Sequence, residues 1–553
     1  MKFDDILMKL GEFGFYQKRL YVLLCMPAIL VGSFMMNLVF VMKTPEHRCK
    51  LPQLDNDTYE ITSEYQRHLI NITIPESDDE TIEYDRCHYY VYPFGESPSR
   101  QNATKITCTE WVYDKSVITQ SFASEMHLVC QDTLLTSHAQ MIFYFGVLVG
   151  DLLFGILADT FGRKKSLYLA IIILIGSAFG VCWSSSYITF VILEFIIGAA
   201  NHGAFMICCV LGLEMVGPSK RNWAGIVIHM FFAVGLVYLA GMGYFLRNWQ
   251  HVGLAIAAPC VLFLCYWWII PESPRWLLSR GRHDEAVTIL KKVALTNKAN
   301  IPEKLLQIQD EPDPHGNLWH LFSSKVLFVR TMIIFLNWAV VSLMYYGVTM
   351  NVGNMGGDFY LNFFLLALIE FPAYSICIYL VDKIGRKKLH CGCMLLGGFA
   401  CASTIFTVLF GGKTLEPLTL ALAIVGKLGA SGAFCVIYVF SAELYPTVVR
   451  NAGMGASSCI ARIGGMLAPY VAKSGELVDG KFGKALPLVI FGAASVFAGL
   501  MCLLLPETLN QRLPETIEDG NRFGRGNDYN DSTTIVEKYT SKKEKQLVSS
   551  ESL

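Results

Sequence analysis

A short basic turn occurs twice in this chain, and this repeat limits the possible folds more than any other feature. The first copy covers residues 159–165 (Asp-Thr-Phe-Gly-Arg-Lys-Lys), and the second covers residues 382–388 (Asp-Lys-Ile-Gly-Arg-Lys-Lys). Each copy joins two long apolar segments, and its glycine permits the sharp bend between them. Because cations in so short a loop stay on the cytoplasmic side of a bilayer, both turns are predicted to lie on that side.

Two further echoes follow in the same order along the chain. Glu214 and Arg221 recur as Glu443 and Arg450, and Pro-Glu-Ser at 271–273 recurs as Pro-Glu-Thr at 506–508. All of these echoes stand at the borders of apolar segments. They indicate an internal duplication, and a duplicated membrane chain is typical of a transporter whose two halves enclose a path.

The composition agrees with a membrane protein. Hydrophobic residues make up 53% of the 553 residues, charged residues make up 16%, and the mean hydropathy is +0.41. Twelve apolar runs predict an all-α membrane protein with twelve transmembrane helices in two pseudo-symmetric six-helix bundles. A net charge of −1 gives no indication of nucleic-acid binding. We predict no catalytic residues, cofactor or metal, and hence no enzyme.

The charge pattern divides the chain and orients it. Loops rich in Lys and Arg alternate with loops that are poor in them, so both termini are predicted to be cytoplasmic. The predicted segments are a cytoplasmic N-terminus (1–19), an N-terminal bundle (20–270) with a large extracellular loop (43–135), a cytoplasmic linker with amphipathic helices (271–330), a C-terminal bundle (331–505) and a cytoplasmic tail (506–553).

The large loop between the first two spans differs in composition from the rest. Its four cysteines are Cys49, Cys87, Cys108 and Cys130. Its three glycosylation sequons begin at Asn56, Asn71 and Asn102. Together they predict a folded, oxidised and glycosylated extracellular loop. Four cysteines allow three pairings, and the sequence does not choose among them.

Opposite charges recur at the inner ends of both bundles. The set comprises Asp159, Arg163, Glu214, Arg221, Asp382, Arg386, Glu443 and Arg450. We predict a cytoplasmic gate, in which these groups form ion pairs across the two halves when the inner mouth closes and become hydrated when it opens. The alternative is that the cations serve only to anchor the topology.

Charges within the spans form a second informative set, because a charge at the bilayer centre is costly and usually faces a cavity or a partner. Glu370 and Arg462 both lie about 18 Å from the inner border at ~1.5 Å per residue. Equal depth predicts that they line one cavity or pair with each other, and a static structural bridge is the alternative. Asp151 and Glu194 are further in-span carboxylates, which either bind a coupling ion or pack against polar neighbours.

Several motifs carry a family resemblance. The repeated turns resemble the signature of the major facilitator superfamily. The cysteine-bearing loop, Pro-Glu-Ser-Pro-Arg-Trp at 271–276, Ala-Glu-Leu-Tyr-Pro-Thr-Val-Val-Arg-Asn at 442–451 and Leu-Pro-Glu-Thr at 505–508 resemble the organic cation, carnitine and organic anion transporter family, and most of all its insect type. The resemblance implies polyspecific movement of small organic ions across the plasma membrane by alternating access.

The same resemblance implies a substrate site. Positions that match the family's cavity are Phe205, His229, Phe232, Trp338, Tyr345, Glu370, Tyr374 and Arg462, with His202 close by. Rings suit a substituted ammonium. Arg462 and Tyr374 follow the carnitine-like pattern, so a zwitterion is predicted, with its carboxylate on Arg462 and its ammonium on the rings and Glu370. An organic anion carrier and a sugar-porter-like carrier remain alternatives, and the coupling ion, sodium or proton, is not determined.

Overall fold

Helices account for most of the described chain. The computed structural model describes residues 3–77, 84–92, 103–299, 318–478 and 480–524. The helices are α1 (Phe3–Lys9), α2 (Phe15–Val41), α3 (Glu64–Thr73), α4 (Phe122–Glu125), α5 (Thr133–Phe161), α6 (Arg163–Val181), α7 (Tyr187–Met215), α8 (Arg221–Leu246), α9 (Trp249–Cys260), α10 (Tyr266–Ile269), α11 (Pro274–Ser279), α12 (His283–Asn297), α13 (Lys325–Met350), α14 (Phe359–Leu368), α15 (Glu370–Ile384), α16 (Arg386–Gly411), α17 (Glu416–Leu444), α18 (Arg450–Lys473), α19 (Lys481–Cys502) and α20 (Ile517–Arg522).

Within these residues, eleven helical stretches are long and apolar enough to cross a membrane. Two of them combine consecutive helices, because α9 continues into α10 and α14 continues into α15. The twelfth predicted span is α18, which falls short of that apolarity because it carries Arg462 and many small residues. It still spans 24 residues and packs against α13 and α5 inside the bundle. A helix that packs against its neighbours in this way needs an apolar surface only where it is exposed, and Ile463 and Leu467 are exposed apolar side chains of α18.

The two halves repeat one packing plan. In the first half, formed by α2 and α5–α10, the main contacts are α5 with α7, α2 with α8, and α6 with both α7 and α9. In the second half, formed by α13–α19, the corresponding contacts are α15 with α17, α13 with α18, and α16 with both α17 and α19. The halves meet along α5 with α18 and α8 with α14 and α15. The duplication in the sequence is therefore a duplication of helix packing.

The segment between α2 and α5 forms a small lobe, which we call the loop lobe. Two antiparallel pairs hold it, β1 (His47–Cys49) with β4 (Trp111–Tyr113) and β2 (His88–Val91) with β3 (Thr104–Thr107). The disulfides are Cys49–Cys108 and Cys87–Cys130, so the structure selects one of the three possible pairings. Arg48 binds the Asp57 carboxylate through both terminal nitrogens at 2.7 Å.

The three sequons occupy different surroundings. Asn56 and Asn71 are exposed, and Asn71 Oδ1 accepts a hydrogen bond from the Tyr84 hydroxyl at 3.1 Å. Asn102 lies outside the described residues, as do residues 300–317 of the predicted linker and 525–553 of the predicted tail. Glycosylation of all three sites stays a prediction.

The loop lobe marks one face of the bundle, called here the loop face, and the opposite ends of the helices form the linker face. On the loop face, contacts join the halves directly. Lys473 Nζ donates to Thr133 Oγ1 at 3.0 Å, and the Phe40 ring lies 4.8 Å from the Phe363 ring. Tyr360 donates its hydroxyl proton to the Val117 carbonyl at 2.8 Å, which ties the second half to the loop lobe. The structure is therefore closed on the loop face.

Candidate functional site

The two repeated turns lie on the linker face and share one construction. Gly162 and Gly385 have φ angles of 106° and 104°, values that favour glycine. The carboxylate of Glu272, from Pro-Glu-Ser, lies next to Gly162, and the carboxylate of Glu507, from Pro-Glu-Thr, lies next to Gly385. Glu272 Oε1 accepts from the Arg163 backbone N–H at 2.8 Å, which caps the first turn of α6. A β-carbon at either glycine would collide with this carboxylate.

Glu507 repeats the arrangement at the start of α16. Its Oε1 accepts from the Arg386 backbone N–H at 2.9 Å and from the Thr508 N–H at 3.0 Å. Burial acts to raise its pKa, but the backbone N–H bonds prevail and hold the pKa of Glu507 below its ordinary value. The Pro-Glu echo thus supplies an anion to each helix N-terminus, where the helix dipole favours negative charge. Sequence reasoning found this echo but assigned it no role.

The gate arginines are paired within their own halves. Arg163 contacts Asp159 at 2.5 Å and Glu214 at 3.1 Å. Arg386 likewise contacts Asp382 at 2.9 Å and Glu443 at 3.0 Å. The ion pairs across the halves, which were predicted for a closed inner mouth, are not formed by Arg163 and Arg386 in this conformation, and the gate stays a prediction. The reason is that α7 and α17 end beside the turns of their own bundle, which brings each glutamate to the nearest arginine.

Arg221 and Arg450 have other partners. Arg221 Nη2 contacts Asp4 of α1 at 2.5 Å, so the N-terminal segment reaches the start of α8. Arg450 Nη2 donates to Thr447 Oγ1 at 3.2 Å. Asn297 at the end of α12 donates to the Leu10 carbonyl at 2.9 Å, which attaches the N-terminal segment to the linker.

A cage of aromatic rings lies at mid-depth between the halves, with His229 at its centre. The centroid of the His229 ring lies 6.1 Å from that of Phe205 in the first half. It lies 6.0 Å from the ring centroid of Tyr374 and 6.1 Å from that of Tyr438, both in the second half. Phe232 extends the cage in the first half, at 6.4 Å from Phe205. In the second half Trp338 lies 4.5 Å from Tyr438, and Tyr345 lies 5.3 Å from Phe434. The structure therefore brings together all six predicted ring residues.

A triad of polar side chains joins the halves beside the cage. Arg462 on α18 donates through Nε to Asp151 Oδ2 on α5 at 3.1 Å, and its Nη2 lies 3.1 Å from His202 Nε2 on α7. His202 Nδ1 is hydrogen-bonded to the other Asp151 oxygen. Arg462 is only 2% exposed. Asp151 is thus the partner of Arg462. It packs against polar neighbours, which was one of the two alternatives predicted for it.

Glu370 is paired elsewhere, and the predicted pairing of Glu370 with Arg462 is wrong. Its Oε1 lies 2.9 Å from Lys427 Nζ on α17, and both side chains are 0% exposed. Lys427 also lies 3.3 Å from the centroid of the Tyr345 ring, and the Tyr374 hydroxyl donates to Glu370 Oε2 at 3.1 Å. Equal depth did not imply contact, because Arg462 faces Asp151 of the first half whereas Glu370 faces Lys427 within the second half. Sequence reasoning missed Lys427, although a lysine inside an apolar run was a visible signal.

Glu194 also lies inside the first half, on α7, and it is only 4% exposed. It is remote from the triad along the helix, two turns closer to the loop face than His202. Ion binding by Glu194 stays a prediction.

Two six-helix halves that meet around a ring-lined centre with buried charges define a membrane carrier of the major facilitator type. The family model for sugar (and other) transporters matches residues 86–519. The chain belongs to this transporter family and, within it, to the organic cation transporters. It is 40% identical over 544 residues to an organic cation transporter protein of Drosophila melanogaster, with 95% of each chain covered.

Other relatives point the same way. The chain is 32% identical over 535 residues to the organic cation/carnitine transporter 2 of Mus musculus, with 93% of each chain covered. Among solved structures, the xylose transporter XylE of E. coli in an inward-open conformation superposes with a TM-score of 0.59. That match has 17% identity and covers 92% of this chain and 100% of the other, and it supports the fold alone.

Proposed function

We propose that this protein carries small organic ions across the plasma membrane by alternating access, with the ring cage as its binding site. The observation that carries the proposal is the convergence of rings from both halves on His229, beside an arginine that joins the halves. A site shared by two halves is exposed to one face at a time when the halves rock. The names of the relatives, organic cation transporter and carnitine transporter, support the substrate class.

The cage suits the ammonium end of a substrate. Phe205, Phe232, Trp338 and Tyr438 present ring faces and edges at mid-depth, and a cation over such a ring gains about 2 kcal/mol when desolvated. His229 and Tyr438 are only partly buried although they lie within spans, which indicates that they border open space. Glu370 acts on this cage indirectly. Lys427 is paired with its Oε1, and its Oε2 accepts a hydrogen bond from the hydroxyl of Tyr374, which belongs to the cage.

Arg462 suits the opposite end of a zwitterion. Its guanidinium presents several donors to a carboxylate, and its Nη2 lies 3.1 Å from the His202 ring in this conformation. A substrate carboxylate would replace that histidine at little electrostatic cost. The combination of this donor with the cage favours zwitterions, such as carnitine, over simple cations.

The linker face supplies the moving mouth. We propose that the bundles at 20–270 and 331–505 rock about the site, with the linker and both termini in the cytoplasm and the loop lobe outside, as the cation-rich turns indicate. The arginine clusters at 163 and 386 stabilise the linker-side ends of each bundle in this conformation. Their release and repacking would accompany closure of the inner mouth.

Arg386→Ala should lower the turnover of transport several-fold with little change in substrate affinity. The reason is that Arg386 joins Asp382 and Glu443 far from the cage and acts on the equilibrium between conformations. Initial rates and binding constants in the same membranes provide the measurement. Lys388→Ala in the same turn is the matched control, and an unchanged rate in Arg386→Ala would leave only the topology-anchor role.

Transport itself is tested with purified protein in proteoliposomes. Labelled carnitine, tetraethylammonium and para-aminohippurate are each assayed for saturable counterflow, which a channel does not support. We expect carnitine to be exchanged best. Preference for para-aminohippurate would favour the organic anion alternative, and no counterflow of any of the three would reject the proposed function. Exchange of a sugar in place of these ions would favour the sugar-porter alternative.

A further inference from the structure

The triad of Asp151, His202 and Arg462 contains a histidine whose two ring nitrogens have opposite roles. Nδ1 faces a carboxylate oxygen of Asp151, and Nε2 faces the Arg462 guanidinium at 3.1 Å. Asp151 and His202 belong to the first half, and Arg462 belongs to the second. His202 is only 5% exposed, so water does not replace either partner.

The protons of the triad follow from the chemistry of its groups. A guanidinium only donates hydrogen bonds, and a carboxylate only accepts them. His202 therefore carries its proton on Nδ1 and presents a lone pair on Nε2, so its ring is neutral in this conformation. A second proton, on Nε2, would set one N–H against another and place two cations side by side. The bond between His202 and Arg462 would then break, while the bond to Asp151 would become an ion pair.

We propose that His202 is the proton-binding site of this carrier and that one proton enters together with a carboxylate-bearing substrate. Protonation releases the Arg462 nitrogen that His202 occupied, and the substrate carboxylate takes its place. The proton and the carboxylate thus favour each other's binding, as linkage requires of two ligands that stabilise the same state. The inference rests on the proposed transport function and names its coupling ion.

Other titratable groups around the triad do not provide the same switch. Charged or ionisable side chains near it on the packed helices are Tyr144 on α5, Cys209 on α7, His229 on α8, Tyr346 on α13, Tyr438 on α17 and Cys459 on α18. The phenols and thiols ordinarily titrate above neutral pH. His229 Nδ1 is bound to the Gly225 carbonyl of its own helix at 2.8 Å, so its protonation breaks no polar bond between the halves.

The test uses His202→Gln, because a glutamine amide can donate to Asp151 through its nitrogen and accept from Arg462 through its oxygen, yet it binds no proton. Wild type in proteoliposomes should accumulate labelled carnitine when the outside is more acidic, with up to about a tenfold ratio per pH unit for one proton per substrate. A trapped pH dye should report proton entry with carnitine. His202→Gln should lose both pH-driven accumulation and the dye signal. Its carnitine counterflow at equal pH on both sides should be weaker, because the amide oxygen still occupies Arg462, and should no longer vary with that pH.

His251→Gln is the matched control, since His251 is exposed on α9 and lies outside the site. It should keep the full pH response. Asp151→Asn is measured beside His202→Gln with equal amounts of reconstituted protein, and removal of the carboxylate that stabilises the protonated ring should move half-maximal uptake to lower pH.

The remaining outcomes separate failure of the proton site from failure of the proposed function. Carnitine counterflow in wild type without any response to a pH gradient would overturn the proton site. So would a full pH response in His202→Gln, an unmoved pH profile in Asp151→Asn, or counterflow of tetraethylammonium without that of carnitine. Absence of counterflow for every solute would reject the proposed function instead.

Discussion

Lys427→Met is expected to destabilise the protein severely, because it leaves the Glu370 carboxylate buried without a counter-charge. Both side chains are 0% exposed, and their charged atoms lie 2.9 Å apart. Removing one partner of such a pair costs about 3–5 kcal/mol, whereas replacing both is often nearly neutral. The double variant Glu370→Gln/Lys427→Met should therefore recover most of the lost stability. Thermal unfolding in detergent and the amount of protein at the cell surface provide the measurements.

Lys50→Met is the matched control for this substitution. Lys50 pairs with Glu110 at 2.6 Å in the loop lobe, where the two side chains are 36% and 64% exposed, and a solvent-exposed pair contributes little to stability. Its unfolding temperature should change much less than that of Lys427→Met. A Lys427→Met protein as stable as wild type, or a double variant no better than the single one, would contradict the buried pair.

Removing the charge of Arg462 is expected to change which solutes the protein accepts. Arg462→Gln combined with Asp151→Asn neutralises both members of the pair, so it avoids the cost of one unpaired buried charge. We expect normal surface expression, loss of carnitine uptake by at least tenfold, and retained competition by tetraethylammonium, since the ring cage is intact. Arg462→Asp, which sets two carboxylates against each other, should abolish carnitine transport.

The measurement is competition of the two solutes for uptake, beside surface labelling of the same cells. Arg450→Gln is a suitable control, because it removes an arginine from the same helix at the linker face, away from the cage. Equal loss for carnitine and tetraethylammonium at normal surface expression would mean that Arg462 acts as a structural bridge.

The sequence was sufficient to predict the structural features that recur in both halves or that follow the period of a helix. The turns at Gly162 and Gly385 and the helical spans were predicted, since internal echo and apolar period determine them. The resemblance to one family then assigned the rings to a common cavity, and the structure brings those rings together.

The partners of the buried charges could not be predicted in the same way. Depth along a helix follows from residue number, but the direction of a side chain depends on the rotation of the helix within the bundle. Arg462 thus meets Asp151 of the other half, and Glu370 meets Lys427 of its own. The gate arginines illustrate the same limit, because their partners depend on where α7 and α17 end. The disulfide pairing depends on how β1 and β4 place Cys49 and Cys108 together, which no spacing rule provides.

The loop lobe offers a route to control transport from outside the membrane. It is joined to the first half through the Thr119 N–H, which donates to the Arg247 carbonyl at 2.9 Å, and to the second half through the hydroxyl of Tyr360. Any opening of the loop face must separate Tyr360 from the lobe or carry the lobe with it. An antibody fragment whose epitope spans Val117 and the start of α14 would hold the two halves together. Such a binder would inhibit without entering the cage, and raising the substrate concentration would not relieve it.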